Sequence, residues 1–171
     1  MKNYPLILIG LLFFSTTGLA LEKSGSNPVD EVRQHMQQAV PYSLDKTQQT
    51  FTKTVHGGVQ HVLAKSADDT QQIKLIQEHL QKLANQFRKG DFSSTERVHG
   101  ADMPGLAQLK RAEPDDIKFE YKALKNGAQI HFSTEYPQYD KALHEWFDAQ
   151  MSDHGNDIIP EHIKHHMTPA E

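Results

Sequence analysis

The segment from residue 117 to 155 constrains the fold most, because it joins a β-hairpin pattern to an amphipathic helix pattern. From Ile117 to Thr134 apolar and polar residues alternate on both sides of Asn126-Gly127, a dipeptide typical of a two-residue turn. From Tyr139 to Gly155 apolar residues recur at steps of three and four, and Gly155 suits a left-handed helix end. A hairpin followed by such a helix predicts an antiparallel sheet with the helix on its core face.

The turn at Asn126-Gly127 also predicts which side chains of this hairpin face the core. Alternation places Ala128, Ile130 and Phe132 on the core side. In this register His131 faces Lys122 on the outer side of the sheet.

An earlier segment repeats this arrangement. Residues 50–66 predict a hairpin with a three-residue loop at 56–58, in which Val55 faces Val59 and Phe51 faces Leu63, with His61 also on the core side. The glycines of His56-Gly57-Gly58 suit the left-handed position of such a loop.

A strong amphipathic helix follows, capped by Asp68 or Asp69 and extending to about Lys89. A shorter helix precedes both units, with Asn27 as its cap and Pro28 at its first position. The predicted fold is therefore α+β: two hairpin–helix units form one antiparallel sheet of about four strands, with helices on one face and a short N-terminal helix.

The segment from residue 91 to 113 carries mixed signals. Pro104 favours a single helical turn over residues 105–110, and the remainder predicts a long loop, either ordered or disordered.

The first twenty residues resemble a secretory signal peptide. Lys2 precedes a short apolar run that begins at Pro5, and Gly18-x-Ala20 suits a cleavage site. The run is shorter than the ~20 residues of a membrane-spanning helix, and no later stretch predicts one. We therefore expect a signal peptide at 1–20, a leader and short helix at 21–46, one α+β domain at 47–155 and a flexible His-rich tail at 156–171. The expected location is the periplasm or the extracellular space.

Composition narrows the chemistry of the chain. It contains no Cys but has 11 His and 5 Met, so imidazole and thioether groups remain for a transition metal such as copper. With 18 Lys and Arg against 22 Asp and Glu, the chain lacks the basic surface of a nucleic-acid-binding protein.

Three groups of residues are candidate metal ligands. His99 and Met103 lie four residues apart in a loop shaped by Gly and Pro, where the alternative is a turn-capping His and a core Met. A second group lies along the last helix, where the alternative is a solvated edge with a His–Asp pair. Its members are His144, Asp148 and Met151, with His154 just beyond.

The third group is the tail pair His162 and His166, which share a face if the tail is helical after Pro160. Copper, zinc and nickel all accept such a pair, and the alternative is a solvated tail.

Two motifs resemble a group of small exported proteobacterial proteins: HGADMPGL at residues 99–106 and LHEWFDAQMSDHG at residues 143–155. The resemblance covers about Val59 to Gly155. Members of that group are often labelled aspartate carbamoyltransferase, and the residues here do not support that label. That enzyme is about twice as long, and its phosphate-binding Ser-Thr-Arg-Thr is replaced by Ser94-Thr95-Glu96-Arg97, where a carboxylate would repel an anionic substrate.

These observations lead to three functional hypotheses. The first is an exported protein that binds or handles a transition metal such as copper through His and Met. The alternative is a non-catalytic envelope domain that docks onto a protein partner without metal. The third is a small His-dependent hydrolase or transferase, which is the weaker class because the chain contains no Gly-x-Ser-x-Gly, phosphate-binding loop or His-Glu-x-x-His motif.

Overall fold

The computed structural model describes residues 28–154 and confirms the predicted α+β fold. The elements in chain order are α1 Pro28–Ala39, a 3₁₀ turn Leu44–Lys46, β1 Thr47–Thr54, β2 Gly57–Ala64, α2 Thr70–Phe87, α3 Ser93–His99, α4 Leu106–Leu109, β3 Lys118–Leu124, β4 Gly127–Ser133 and α5 Pro137–His154.

The four strands form one antiparallel sheet in the order β1-β2-β4-β3, so the two hairpins lie side by side through β2 and β4. Both long helices cover the same face of this sheet. The ring of Phe132 on β4 lies 5.8 Å from Phe87 of α2 and 5.3 Å from Trp146 of α5. The core therefore lies between the sheet and this helical layer.

The predicted core face of α5 is confirmed. Its members share steps of three and four and are all buried: Tyr139, Leu143, Trp146, Phe147 and Gln150. Two members of this face, Trp146 and Gln150, also line a cleft between the helices and the first hairpin.

The predicted start of α2 is also confirmed, whereas Asn27, the predicted cap of α1, lies outside the described residues. The Asp69 side chain accepts a hydrogen bond from the backbone N–H of Gln72 at 3.2 Å, which caps α2. Helix α1 begins at Pro28, and its Met36 is buried against the remainder of the core.

The predicted register of the first hairpin is wrong. Val55 and His56 alone form the turn, because Thr54 pairs with Gly57 and Phe51 pairs with Gln60. Gly57 is required by the neighbouring strand, since a Cβ there would lie 2.2 Å from the carbonyl oxygen of Phe132.

This correction reverses the faces of β2. Gln60 and Val62 face the core, whereas His61, predicted on the core side, pairs with Thr50 on the outer face. There its ring nitrogens lie 3.4 Å from the Thr50 hydroxyl and 3.2 Å from Gln129 Oε1.

The predicted turn of the second hairpin is displaced by one residue for the same reason. Lys125 and Asn126 form the turn, and Gly127 begins β4, where a Cβ would lie 2.1 Å from the carbonyl oxygen of Val62. The predicted core side of β4 holds, and His131 stays on the outer face. It pairs with Glu120 rather than with Lys122.

Residues 91–113 contain a helix that the sequence did not predict. Helix α3 begins after Asp91, whose carboxylate accepts the backbone N–H of Ser93 at 3.0 Å. With only Val98 and Thr95 buried, α3 is too short for an apolar period to reveal it. The predicted turn after Pro104 is present as α4.

The predicted signal peptide and the His-rich tail lie outside the described residues. Between residues 28 and 154, no helix combines the length and the apolar character needed to cross a bilayer.

Candidate functional site

A cleft of about 60 Å³ lies between the helical layer and the first hairpin. It is bounded by α1, α2, α3 and α5 on one side and by β1 and β2 on the other. Its volume is enough for a few water molecules or a small ligand. The polar side chains that line it are Tyr42, Gln49, Gln60, His79, Ser94, Thr95, Arg97, His99, Gln150 and His154.

His154, the last residue of α5, is only 4% exposed. Its Nε2 lies 2.9 Å from Gln150 Oε1, one helical turn earlier, and its ring stacks on Phe51 with centroids 5.6 Å apart. Burial, reinforced by the nearby His99, lowers the pKa of His154 to about 3. At neutral pH the ring is therefore uncharged, with Nε2–H donating to Gln150 and a lone pair on Nδ1.

His99, at the end of α3, is held by a carboxylate. Its Nδ1 lies 2.8 Å from Asp153 Oδ2, and its side chain is only 3% exposed. Burial lowers the pKa of His99, and the hydrogen bond and charge of Asp153 oppose this shift. With Nδ1–H directed at Asp153, the lone pair of the neutral ring lies on Nε2.

The structure brings these two candidate residues together from distant parts of the chain. The rings of His99 and His154 are perpendicular, with centroids 5.1 Å apart. Among the described residues, no further hydrogen bond engages Nε2 of His99 or Nδ1 of His154. The arrangement therefore offers two neutral nitrogen donors whose rings are already oriented.

Met103, the proposed partner of His99, lies elsewhere. Its side chain is 5% exposed and belongs to the hydrophobic core, and it does not line the cleft. The four-residue spacing therefore does not bring imidazole and thioether to one cavity.

The predicted stripe along α5 is divided among three structural roles. His144 Nε2 lies 2.9 Å from the carbonyl oxygen of Thr54, and Asp148 forms an ion pair with Lys53 at 2.6 Å. Met151 is half-buried against the core. Of this group, only His154 reaches the cleft.

The tail candidates His162 and His166 lie outside the described residues. Within residues 28–154, no three His, Cys, Asp or Glu side chains are arranged to hold a metal ion. Any metal site in this region therefore needs a ligand of another kind beside the two imidazoles.

Sequence reasoning missed the inner wall of the cleft, which includes Gln60 and the only Trp of the chain, Trp146. The predicted register of the first hairpin implies an outer position for Gln60, because it places both glycines in the turn. The signal was present, since Gln60 lies two residues before Val62, and the two share a face in a strand.

Comparison with protein-family models, with curated proteins and with solved structures finds no match for this chain.

Proposed function

We propose that this protein binds one copper ion, as Cu⁺, through His99 Nε2 and His154 Nδ1. The observation that carries the proposal is the 5.1 Å separation of the two ring centroids. A metal about 2.0 Å from an imidazole nitrogen lies roughly 3.1 Å from that ring's centroid, so two rings at a tetrahedral angle have centroids about 5 Å apart. The two imidazoles are thus spaced for one shared ion.

The hydrogen bonds behind the two rings support the same proposal. Metal-binding imidazoles usually donate their second N–H to an oxygen, which fixes the tautomer and the ring orientation. Asp153 does this for His99 at 2.8 Å, and Gln150 does it for His154 at 2.9 Å. Since burial lowers the pKa of both histidines, a metal would not compete with a proton at neutral pH.

Met36 is the best third ligand. It lines the same cleft from α1 and is 8% exposed. Two imidazoles and a thioether, without Cys, form a donor set that selects Cu⁺ over harder ions. Together with the predicted export signal, this set favours a role in copper handling outside the cytoplasm.

Competition with a chromophoric Cu⁺ chelator tests the proposal. The measurement uses the full chain with His162, His165 and His166 replaced by Gln, so that the tail does not contribute. We expect one Cu⁺ per chain with micromolar or tighter affinity. His99→Gln and His154→Gln should each weaken binding at least tenfold, and Met36→Leu should weaken it several-fold.

His131→Gln is the matched control, because His131 lies on the outer face of the sheet and pairs with Glu120. It should leave the affinity within about twofold of the parent chain. Cu⁺ binding that persists unchanged in both His99→Gln and His154→Gln would remove the proposal.

A protein partner is the second candidate function, favoured by one observation. Val55 is 81% exposed and Tyr136 is 47% exposed. Both lie at the same end of the sheet, since the backbone N–H of Thr134 donates to the carbonyl oxygen of His56. In-cell crosslinking that depends on Val55 and Tyr136, but not on His99, would favour an envelope docking domain over the copper site.

A further inference from the structure

Two buried polar atoms on the inner wall of the cleft have no partner. Gln60 Oε1, a hydrogen-bond acceptor, and Trp146 Nε1–H, a donor, form no hydrogen bond within residues 28–154. Gln60 is 8% exposed and Trp146 is 1% exposed. Both line the cleft, Gln60 from β2 and Trp146 from α5.

Such atoms are uncommon in folded proteins, because burial removes water without replacing its hydrogen bonds. Here a donor and an acceptor are left open on the same cavity. A ligand that offers the complementary pair of groups would satisfy both.

We propose that the cleft binds a small uncharged carboxamide, whose N–H donates to Gln60 Oε1 and whose carbonyl oxygen accepts from Trp146 Nε1–H. This site is separate in its residues from the proposed copper ligands, and the two proposals do not depend on each other.

The two open atoms select a carboxamide over a carboxylate. A carboxylate has no N–H to donate and would place a second acceptor against Gln60 Oε1. Apolar side chains such as Val40 and Leu83 complete the wall. Arg97 also lines the cleft, so a cationic ligand would meet a like charge there, whereas a carboxylate is disfavoured by its missing donor. The volume of about 60 Å³ limits the ligand to a few non-hydrogen atoms.

Trp146 provides a direct probe, since it is the only Trp in the chain and contributes to the cleft wall. We would titrate the full chain, with a metal chelator present, and follow Trp emission. The probe is propionamide, with butanone and propionate as matched controls of equal heavy-atom number. Butanone and propionate both lack the N–H donor, and propionate also tests the effect of a negative charge near Arg97. Ligand-detected NMR gives a second readout that does not depend on fluorescence.

We expect saturable binding of propionamide in the millimolar range, as is usual for a fragment of this size. Butanone and propionate should bind at least fivefold more weakly. Gln60→Leu should weaken propionamide binding at least fivefold. The control Gln138→Leu, at an exposed position on the first turn of α5, should not change it.

Two outcomes would overturn the proposal. One is the absence of saturable propionamide binding by both readouts, which would leave water as the partner of the two atoms. The other is equal binding of propionamide by the wild-type chain and by Gln60→Leu. Because the chelator excludes copper, neither outcome bears on the copper proposal.

Discussion

The two hairpin–helix units share one design but differ in what fills them. Each hairpin has a two-residue turn followed by a glycine, Gly57 or Gly127, and each helix, α2 or α5, has 18 residues. Helix α2 packs on β3 and β4, whereas α5 packs on β1 and β2. We call helix α2 with strands β3 and β4 the α2 layer, and helix α5 with strands β1 and β2 the α5 layer.

Four matched positions in these two layers carry opposite chemistry. Positions can be matched by counting from the first residue of each helix and from the glycine after each turn. The apolar residues of the α2 layer then correspond to polar residues of the α5 layer: Phe87 to His154, Leu83 to Gln150, Phe119 to Gln49, and Ile130 to Gln60.

The α2 layer is packed with aromatic rings, and its Phe87 and Phe119 have centroids 5.5 Å apart. The corresponding polar residues of the α5 layer line the cleft, which Phe87 and Leu83 of α2 also border. Buried polar groups reduce stability unless every hydrogen bond is made, and proteins tolerate such losses mainly where function needs them. The difference supports the proposal that the cleft beside α5 binds a ligand, whereas the aromatic packing of the α2 layer stabilises the fold.

Acidification should produce the largest effect. The pKa values of His79 and His154 lie at about 4 and about 3 in the folded chain, below the ordinary value of about 6.5 expected after unfolding. Below pH 6.5 the unfolded chain therefore binds more protons, so the free energy of unfolding falls as the pH falls. The slope for each histidine rises from about 0.7 kcal/mol per pH unit at pH 6.5 toward about 1.4 below pH 5.5, so the two together lose roughly 4 kcal/mol between pH 6.5 and 4.5.

Denaturant unfolding across this pH range measures that slope. His154→Gln should remove about half of the histidine contribution, since His79 remains. An unchanged slope in this variant would mean that His154 takes up a proton in the folded chain.

Exchanging residues between the layers should give the next largest effect. Phe87→His places an imidazole in the packed aromatic layer and should lower the free energy of unfolding by roughly 3 kcal/mol or more. The reverse exchange, His154→Phe, should change it by less than about 1 kcal/mol, because the cleft gives the ring room. Equal losses from the two exchanges, measured by urea unfolding at pH 7, would contradict the difference between the layers.

Gln60→Leu should give the smallest effect and the opposite sign. It removes a buried acceptor that has no partner and should raise the free energy of unfolding by about 1 kcal/mol. Ile130→Gln, at the matched position of β4, is the control and should destabilise the fold. Destabilisation by Gln60→Leu in thermal unfolding would show that the Gln60 amide is satisfied in the folded chain.

The sequence predicted the α+β fold because long apolar periods dominate it. The core faces of α2 and α5 persist over many turns, so errors of one residue do not change them. The register of the first hairpin was not predictable in the same way. The sequence pattern favours a turn position for Gly57. The structure instead requires a glycine there because the carbonyl of Phe132, on a paired strand that is distant in the sequence, leaves no room for a side chain.

The candidate site was only partly predictable for a related reason. His99 and His154 were recognised as candidates from residue type, but their meeting depends on α3, a helix too short to show a period. The cleft itself follows from the tertiary packing of α5 on the first hairpin. Local spacing favoured Met103 and His144 as metal ligands. The fold instead places Met103 in the core and His144 against the carbonyl oxygen of Thr54.

The most direct test measures the free energy of unfolding with and without Cu⁺ in two chains. The parent chain has its three tail histidines replaced by Gln. The double variant carries His99→Gln and His154→Phe in addition. A ligand at one hundred times its dissociation constant stabilises the folded state by about 2.7 kcal/mol. A copper site formed by His99 and His154 predicts that Cu⁺ raises the free energy of unfolding by this amount in the parent chain and does not change it in the double variant. Equal gains in both chains, or none in either, would contradict a copper site between α3 and α5.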